Sequence, residues 1–120
     1  MGFRSYNTFF ESVSITSTTA DAGANVIYTV PSNHDCELDF CMATNGSATH
    51  NISVQIYHAD HATYHHVLRE HSIAGNDSYR LVESDRIYLH AGDKVVAYKS
   101  GGTLDVTVSG KLYYNPVRGV

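Results

Sequence analysis

Two cysteines five residues apart in "DCELDFC" and a crowd of histidines in "HADHATYHHVLREH" are the side chains of this sequence best suited to chemistry. A close thiol pair can form a disulfide, act as a redox couple or supply half of a metal clip. The spacing argues against all three. On a regular strand Cys36 and Cys41 point to opposite faces and stand ~17 Å apart, at about 3.3 Å per residue. A disulfide needs Cα atoms within about 7 Å. No second cysteine pair exists to complete a zinc knuckle. Cys36 alternates in phase with Leu38, Phe40 and Met42, as a small apolar residue on a buried strand face would, while Asp35, Glu37 and Asp39 take the other face. Cys41 falls on that second face, where it would be covered by another sheet or subunit.

Five of the eight histidines lie between His58 and His71. If 59–63 forms a hairpin turn, His58 and His66 approach across it with His61 at the tip, and neutral imidazoles so placed suit zinc or nickel. Only Asp60 is at hand to complete the set, and "VL" at 67–68 breaks the alternation. A slip of one residue sends these rings to different faces. The expectation is therefore no metal and no cofactor. His58, His61 and His66 are the ligands to test, within a polar, partly aromatic surface. Catalytic signatures are missing as well. There is no Gly-x-Ser-x-Gly elbow and no glycine-rich phosphate loop, and Asp93 in "AGDK" reads as a turn residue. A non-enzymatic protein is expected.

Strands must position these side chains. "SVSITST", "NVIYTV", "DCELDFCMA", "NISVQIYH", "RIYLH", "KVVAYKS" and "TLDVTVSGKLYY" alternate apolar and polar residues with a period of two, and "TYHHVLRE" and "SYRLVES" do so more weakly. The inward phases are Val13 and Ile15; Val26, Tyr28 and Val30; Ile52, Val54 and Ile56; and Leu104, Val106, Val108 and Leu112. Turn formers separate the runs in "ADAGAN", "PSNHD", "NGSA", "AGND", "AGDK" and "SGG". About eight short strands with no helical period predict an all-β fold. It would be a single antiparallel β-sandwich with jelly-roll or immunoglobulin-like connections. The boundaries read as an N-terminal arm over 1–9, a sandwich over 10–114 and a C-terminal tail over 115–120.

The 120 residues fit one domain, and the formal net charge is −4. Eight scattered Lys and Arg argue against a nucleic-acid partner. No apolar run is long enough to span a membrane. "MGFRSYNTFFESV" has no apolar leader, and Tyr6 stands where a myristoylation signal needs Ser or Thr. Synthesis in a cytoplasm is expected, so the sequons at Asn45, Asn51 and Asn76 would stay bare. Nine tyrosines with no tryptophan suit outward contact, since Tyr joins apolar area to a hydroxyl. Tyr57, Tyr64 and Tyr88, with Phe3, Tyr6 and Phe9 of the apolar start, are the expected interface residues.

"VIYTVPSNHDCELDFCMATNGSATHNISVQIYHAD" and "IYLHAGDKVVAYKSGGTLDVTVSGKLYY" together resemble small β-sandwich virion structural proteins of tailed bacteriophages, of the decoration or cement type. In those proteins a Tyr-Thr-Val-Pro strand end, a Gly-Asp turn and a closing Asp-Val-Thr-Val-Ser-Gly strand recur. The likeness covers about 24–114 and rests on turn and strand signals. It implies a non-enzymatic protein, made in the host cytoplasm and located in the virion. There it would form a homo-oligomer such as a trimer and bind the major capsid protein or other virion proteins. A tail, baseplate or neck protein is the near alternative. A carbohydrate-binding module, using outward Tyr with loop Asp and Asn, and a small cupin-type metalloenzyme are the more distant ones.

Overall fold

A computed structural model of the protein describes residues 6–82 and 86–116. Among them nine strands follow in order: β1 (Tyr6–Ile15), β2 (Asn25–Thr29), β3 (His34–Asn45), β4 (His50–His58), β5 (Thr63–Ile73), β6 (Ser78–Val82), β7 (Ile87–His90), β8 (Lys94–Lys99) and β9 (Leu104–Tyr114). One sheet has the order β1-β9-β3-β6, with β7 also paired to β3, and the other has the order β2-β8-β4-β5. β7 pairs with Asp35–Leu38 and β6 with Cys41–Thr44, so the two act as halves of one interrupted edge strand. Counting them as one gives eight strands in two sheets of four. Successive strands cross between the sheets except at the β4–β5 hairpin, and this is a jelly roll. The alternating sequence pattern produces it, because each strand has one apolar side to bury between the sheets. Ile15, Leu38, Ile52, Val54, Val95, Leu104, Val106 and Val108 form the heart of that interior.

β3 departs from simple alternation. Leu38 pairs with Gly110 and Phe40 with Ser109, so Asp39 is an extra residue on β3, a β-bulge. Cys36 and Leu38 face the core before the bulge, and Cys41, Ala43 and Asn45 face it afterwards. The expected phase therefore fails in its second half. Phe40 and Met42 lie on the outer side, with the Arg80 guanidinium 5.2 Å from the Phe40 ring centre. Cys41 joins Cys36 in the core, and both are free thiols. Gly110 answers the bulge from β9: a Cβ there would strike the Glu37 carbonyl and sit 2.9 Å from the Phe9 ring.

β2 carries a second bulge between Val26 and Tyr28, which turns Ile27 inward and leaves Val26 exposed, against expectation. Part of the stretch expected as an arm, 1–9, is strand, and 1–5 lie outside the described residues. Tyr6 to Phe9 belong to β1 and pair with β9, and Phe9 stacks on Tyr28 at 4.1 Å instead of facing a partner. Phe3 lies outside the described residues, as do 117–120 of the expected tail.

Two buried polar devices close the ends. Asp93 accepts hydrogen bonds from the backbone of Ala59 and His90, which fixes the "AGDK" turn where Gly92 has φ +88°. Asn45 donates to the Ala48 and Ile73 carbonyls and accepts from the Ser47 backbone, so this sequon has no free side chain to glycosylate.

The bulge sets a clear order of stabilities. Leu38→Ala should cost about 2–5 kcal/mol, as for a buried aliphatic residue, and Phe40→Ala only on the order of 1 kcal/mol. Urea unfolding of both variants checks this. Equal losses would place Phe40 back in the core.

Candidate functional site

The strand registers set the outer face of the five-stranded sheet in rows. One row across β1, β9, β3 and β7 is Tyr6, Tyr113, Asp35 and His90. The next row on the same face is Thr8, Lys111, Glu37 and Tyr88, and beyond it Phe10, Ser109 and Phe40. The sequence pattern commits these residues outward, because their neighbours Leu112, Cys36 and Leu89 are needed inside.

Phe10 is 68% exposed, Tyr88 67% and Tyr6 52%. Between them lies a charged network. Glu37 is buried, accepts from Arg86 Nε at 3.1 Å and lies 3.9 Å from Lys111 Nζ and 3.4 Å from the Tyr113 hydroxyl. Asp35 accepts from Asn115 Nδ2 at 2.9 Å and lies 3.2 Å from His90 Nδ1. Asp35, Glu37, Tyr88, His90 and Tyr113 frame a cleft of about 350 Å³. The carboxylates are engaged with cations and amide donors, so the cleft offers hydrogen-bond acceptors beside aromatic rings.

The opposite sheet is partly covered on its outside, although Val26 is exposed there. Ser53, Gln55 and Val96 are buried there. Gln55 and Asp21 bond reciprocally, the Asp21 backbone N–H to Gln55 Oε1 and Gln55 Nε2 to Asp21 Oδ1, which seats the β1–β2 connection over β4. Tyr57 and Tyr64, paired across β4 and β5 with rings 4.7 Å apart, are half-buried, and Lys94 lies over Tyr57. Of the six expected interface residues, Tyr6 and Tyr88 are thus freely presented, and Tyr57 and Tyr64 partly so. Phe10 and Phe40 also lie on this face, Phe40 because the bulge reverses its expected inward phase.

The histidines divide. His58 pairs with Thr63 and His66 with Gln55, so the two do not meet across the hairpin. His58 and His61 are neighbours, with rings 5.1 Å apart. His66 is engaged at both nitrogens. Arg69 donates to Nδ1 at 2.9 Å, which leaves Nε2–H to donate to the Tyr98 hydroxyl at 2.8 Å. No group of three or more His, Cys, Asp or Glu able to hold a metal occurs among the described residues.

Both thiols are chemically quiet. Burial pushes Cys41 from 9.0 up to about 12. Burial, with Asp39, Glu37 and Asp93 nearby, does the same to Cys36. Tyr28 rises from 10.0 to about 12, first by burial and then by Cys36 and Glu11.

No protein-family profile matches the chain. No curated protein matches it either. Four chains of solved structures do. One, from the structure of infectious bursal disease virus Gx strain, aligns with 96% of this chain at 10% identity and a TM-score of 0.41. This chain spans 39% of that one's length. A likeness of that size carries no argument about function, and the jelly roll stands on the strand order itself.

The raised values fix the response to alkali. The unfolded chain ionises its thiols first, so stability is whole below pH 9 and declines as the pH approaches 12. Urea midpoints should therefore fall steadily across that window, and the Cys36→Ala/Cys41→Ala variant should lose less. An equal decline in both proteins would show that the thiols are not the titrating groups.

Proposed function

We propose that the chain is a structural subunit of a virion, a head decoration or cement protein of a tailed phage. It is made in the host cytoplasm and binds itself and the major capsid protein or other virion proteins. The observation that carries this reading is the open face of the five-stranded sheet, where Tyr6, Phe10 and Tyr88 stand exposed beside an internally neutralised charge network. Aromatic rings left in water over a rigid sheet suit burial against protein, where Tyr adds a hydroxyl at the rim. The other sheet has the β1–β2 connection over its middle at Gln55, which favours the first for assembly. A net charge of −4 fits a protein partner better than nucleic acid. A tail, baseplate or neck position is the near variant. Threefold or similar sites on the head lattice, as against a ring on the tail axis, separate the two.

Carbohydrate binding has one observation in its favour, the cleft of Asp35, Glu37, Tyr88, His90 and Tyr113. An exposed ring beside carboxylate acceptors can stack a sugar and take its hydroxyls. A glycan array without hits removes that reading.

Mass spectrometry of purified particles of the encoding phage should find the chain in stoichiometric amount. Phe10→Ser/Tyr88→Ser should keep its melting temperature and lose particle retention. Particles that lack the chain would end the virion reading.

A further inference from the structure

We infer that the edge of β1, unpaired among the described residues, pairs with β1 of a second copy of this chain, antiparallel across a two-fold axis, joining two five-stranded sheets into one. This deepens the self-association in the reading above by naming its surface.

The two sheets have four edges, and three of them are blunted. β2 is five residues long, bulged at Ile27 and followed by Pro31. The edge opposite β1 in its own sheet is split into β6 and β7, of five and four residues. β5 is long, but its register slips twice against β4, Glu70 takes φ +46°, and the slipped segment carries Arg69, Glu70 and His71. Short, broken, bulged or charged edges are how sheets avoid pairing with other chains.

β1 uses almost none of these devices. All ten of its residues pair with β9 in unbroken register, with no bulge and no positive φ. It contains no Lys, Arg, Pro or Gly. Its single charge, Glu11, lies in the row with Val108, on the side facing the other sheet, and the outer side is left to Tyr6, Thr8, Phe10, Ser12 and Ser14. A long regular edge offers every second backbone N–H and C=O to a strand of any sequence. The side chains select a second copy. With the two-fold axis at Phe9, Asn7 faces Glu11 of the other copy and the amide can donate to the carboxylate. Thr8 then faces Phe10, Tyr6 faces Ser12, and the two Phe9 rings meet on the inner side. Opposed residues fall on the same face throughout, as pairing demands. A two-fold axis makes the contact isologous and closed, so it yields a dimer and not a fibre.

Sedimentation velocity and hydrogen exchange of the full chain, over a range of concentrations, test this together. We expect a concentration-dependent dimer in which alternate amides of β1, those not bonded to β9, become protected as it forms. Asn7→Glu should weaken the dimer by roughly fivefold and Asn7→Lys should strengthen it by a similar factor, since each change acts twice across the axis. Both variants should keep the monomer's melting temperature. Association that leaves the β1 amides exchanging freely overturns the edge pairing and leaves self-association to the aromatic face. A chain that stays monomeric overturns both, while the content of purified particles still decides the virion reading. Asn7→Glu and Asn7→Lys shifting the dimer in the same direction would overturn the pairing with Glu11.

Discussion

One extra residue on β3 decides which side chains reach the interior of this protein. β3 lies between β9 and the split strand β6/β7, so it is covered on both edges and both register sets must be met at once. Asp39 is inserted between Leu38 and Phe40 while β9 continues without a break. Side chains on a strand alternate strictly, so a single insertion reverses every position beyond it. Cys41, Ala43 and Asn45 turn inward, and Phe40 and Met42 turn out. Gly110 permits this, because a larger residue opposite the bulge would collide with the Glu37 carbonyl and the Phe9 ring.

The outer surface follows from that reversal. Phe40 joins the row of Phe10 and extends the aromatic face that Tyr6 and Tyr88 begin. Before the bulge, Asp35 and Glu37 remain outward, and Glu37 is compensated by Arg86 and Lys111 as its burial demands. The face therefore presents apolar rings around a charge network already neutralised within the sheet, a surface suited to being covered. The second sheet has part of its covering built in, since the Gln55–Asp21 pair holds the β1–β2 connection over β4.

Much of this was legible in the sequence. The period of two in "TLDVTVSGKLYY" and "NISVQIYH", with turn residues between strands, specifies an all-β sandwich, and Asp93 acts as the turn residue it looked like. The bulges were not legible. A strand read alone carries no record of its partner, and Asp39 is extra only relative to Gly110 and Ser109. The same blindness hid Ile27, and it hid the burial of Gln55, which the distant β1–β2 connection covers, and of Ser53, which accepts from the Glu70 backbone of β5. Tyr6–Phe9 looked like an arm because its apolar residues do not alternate. Its strand character comes from pairing with the closing strand of the chain, about a hundred positions away. The histidine pairing failed for a simpler reason, since the register runs unbroken from His58–Thr63 and sets His66 opposite Gln55, three residues along the hairpin from His58.

The bulge is tested most directly by thiol labelling of the native protein, with each cysteine resolved by peptide mass spectrometry. With both thiols in one core, Cys36 and Cys41 should react together, at the rate of global unfolding and with the same denaturant dependence. Rapid labelling of Cys41 in native buffer, with Cys36 still protected, would mean an unbulged strand with its second half reversed, and would contradict the account.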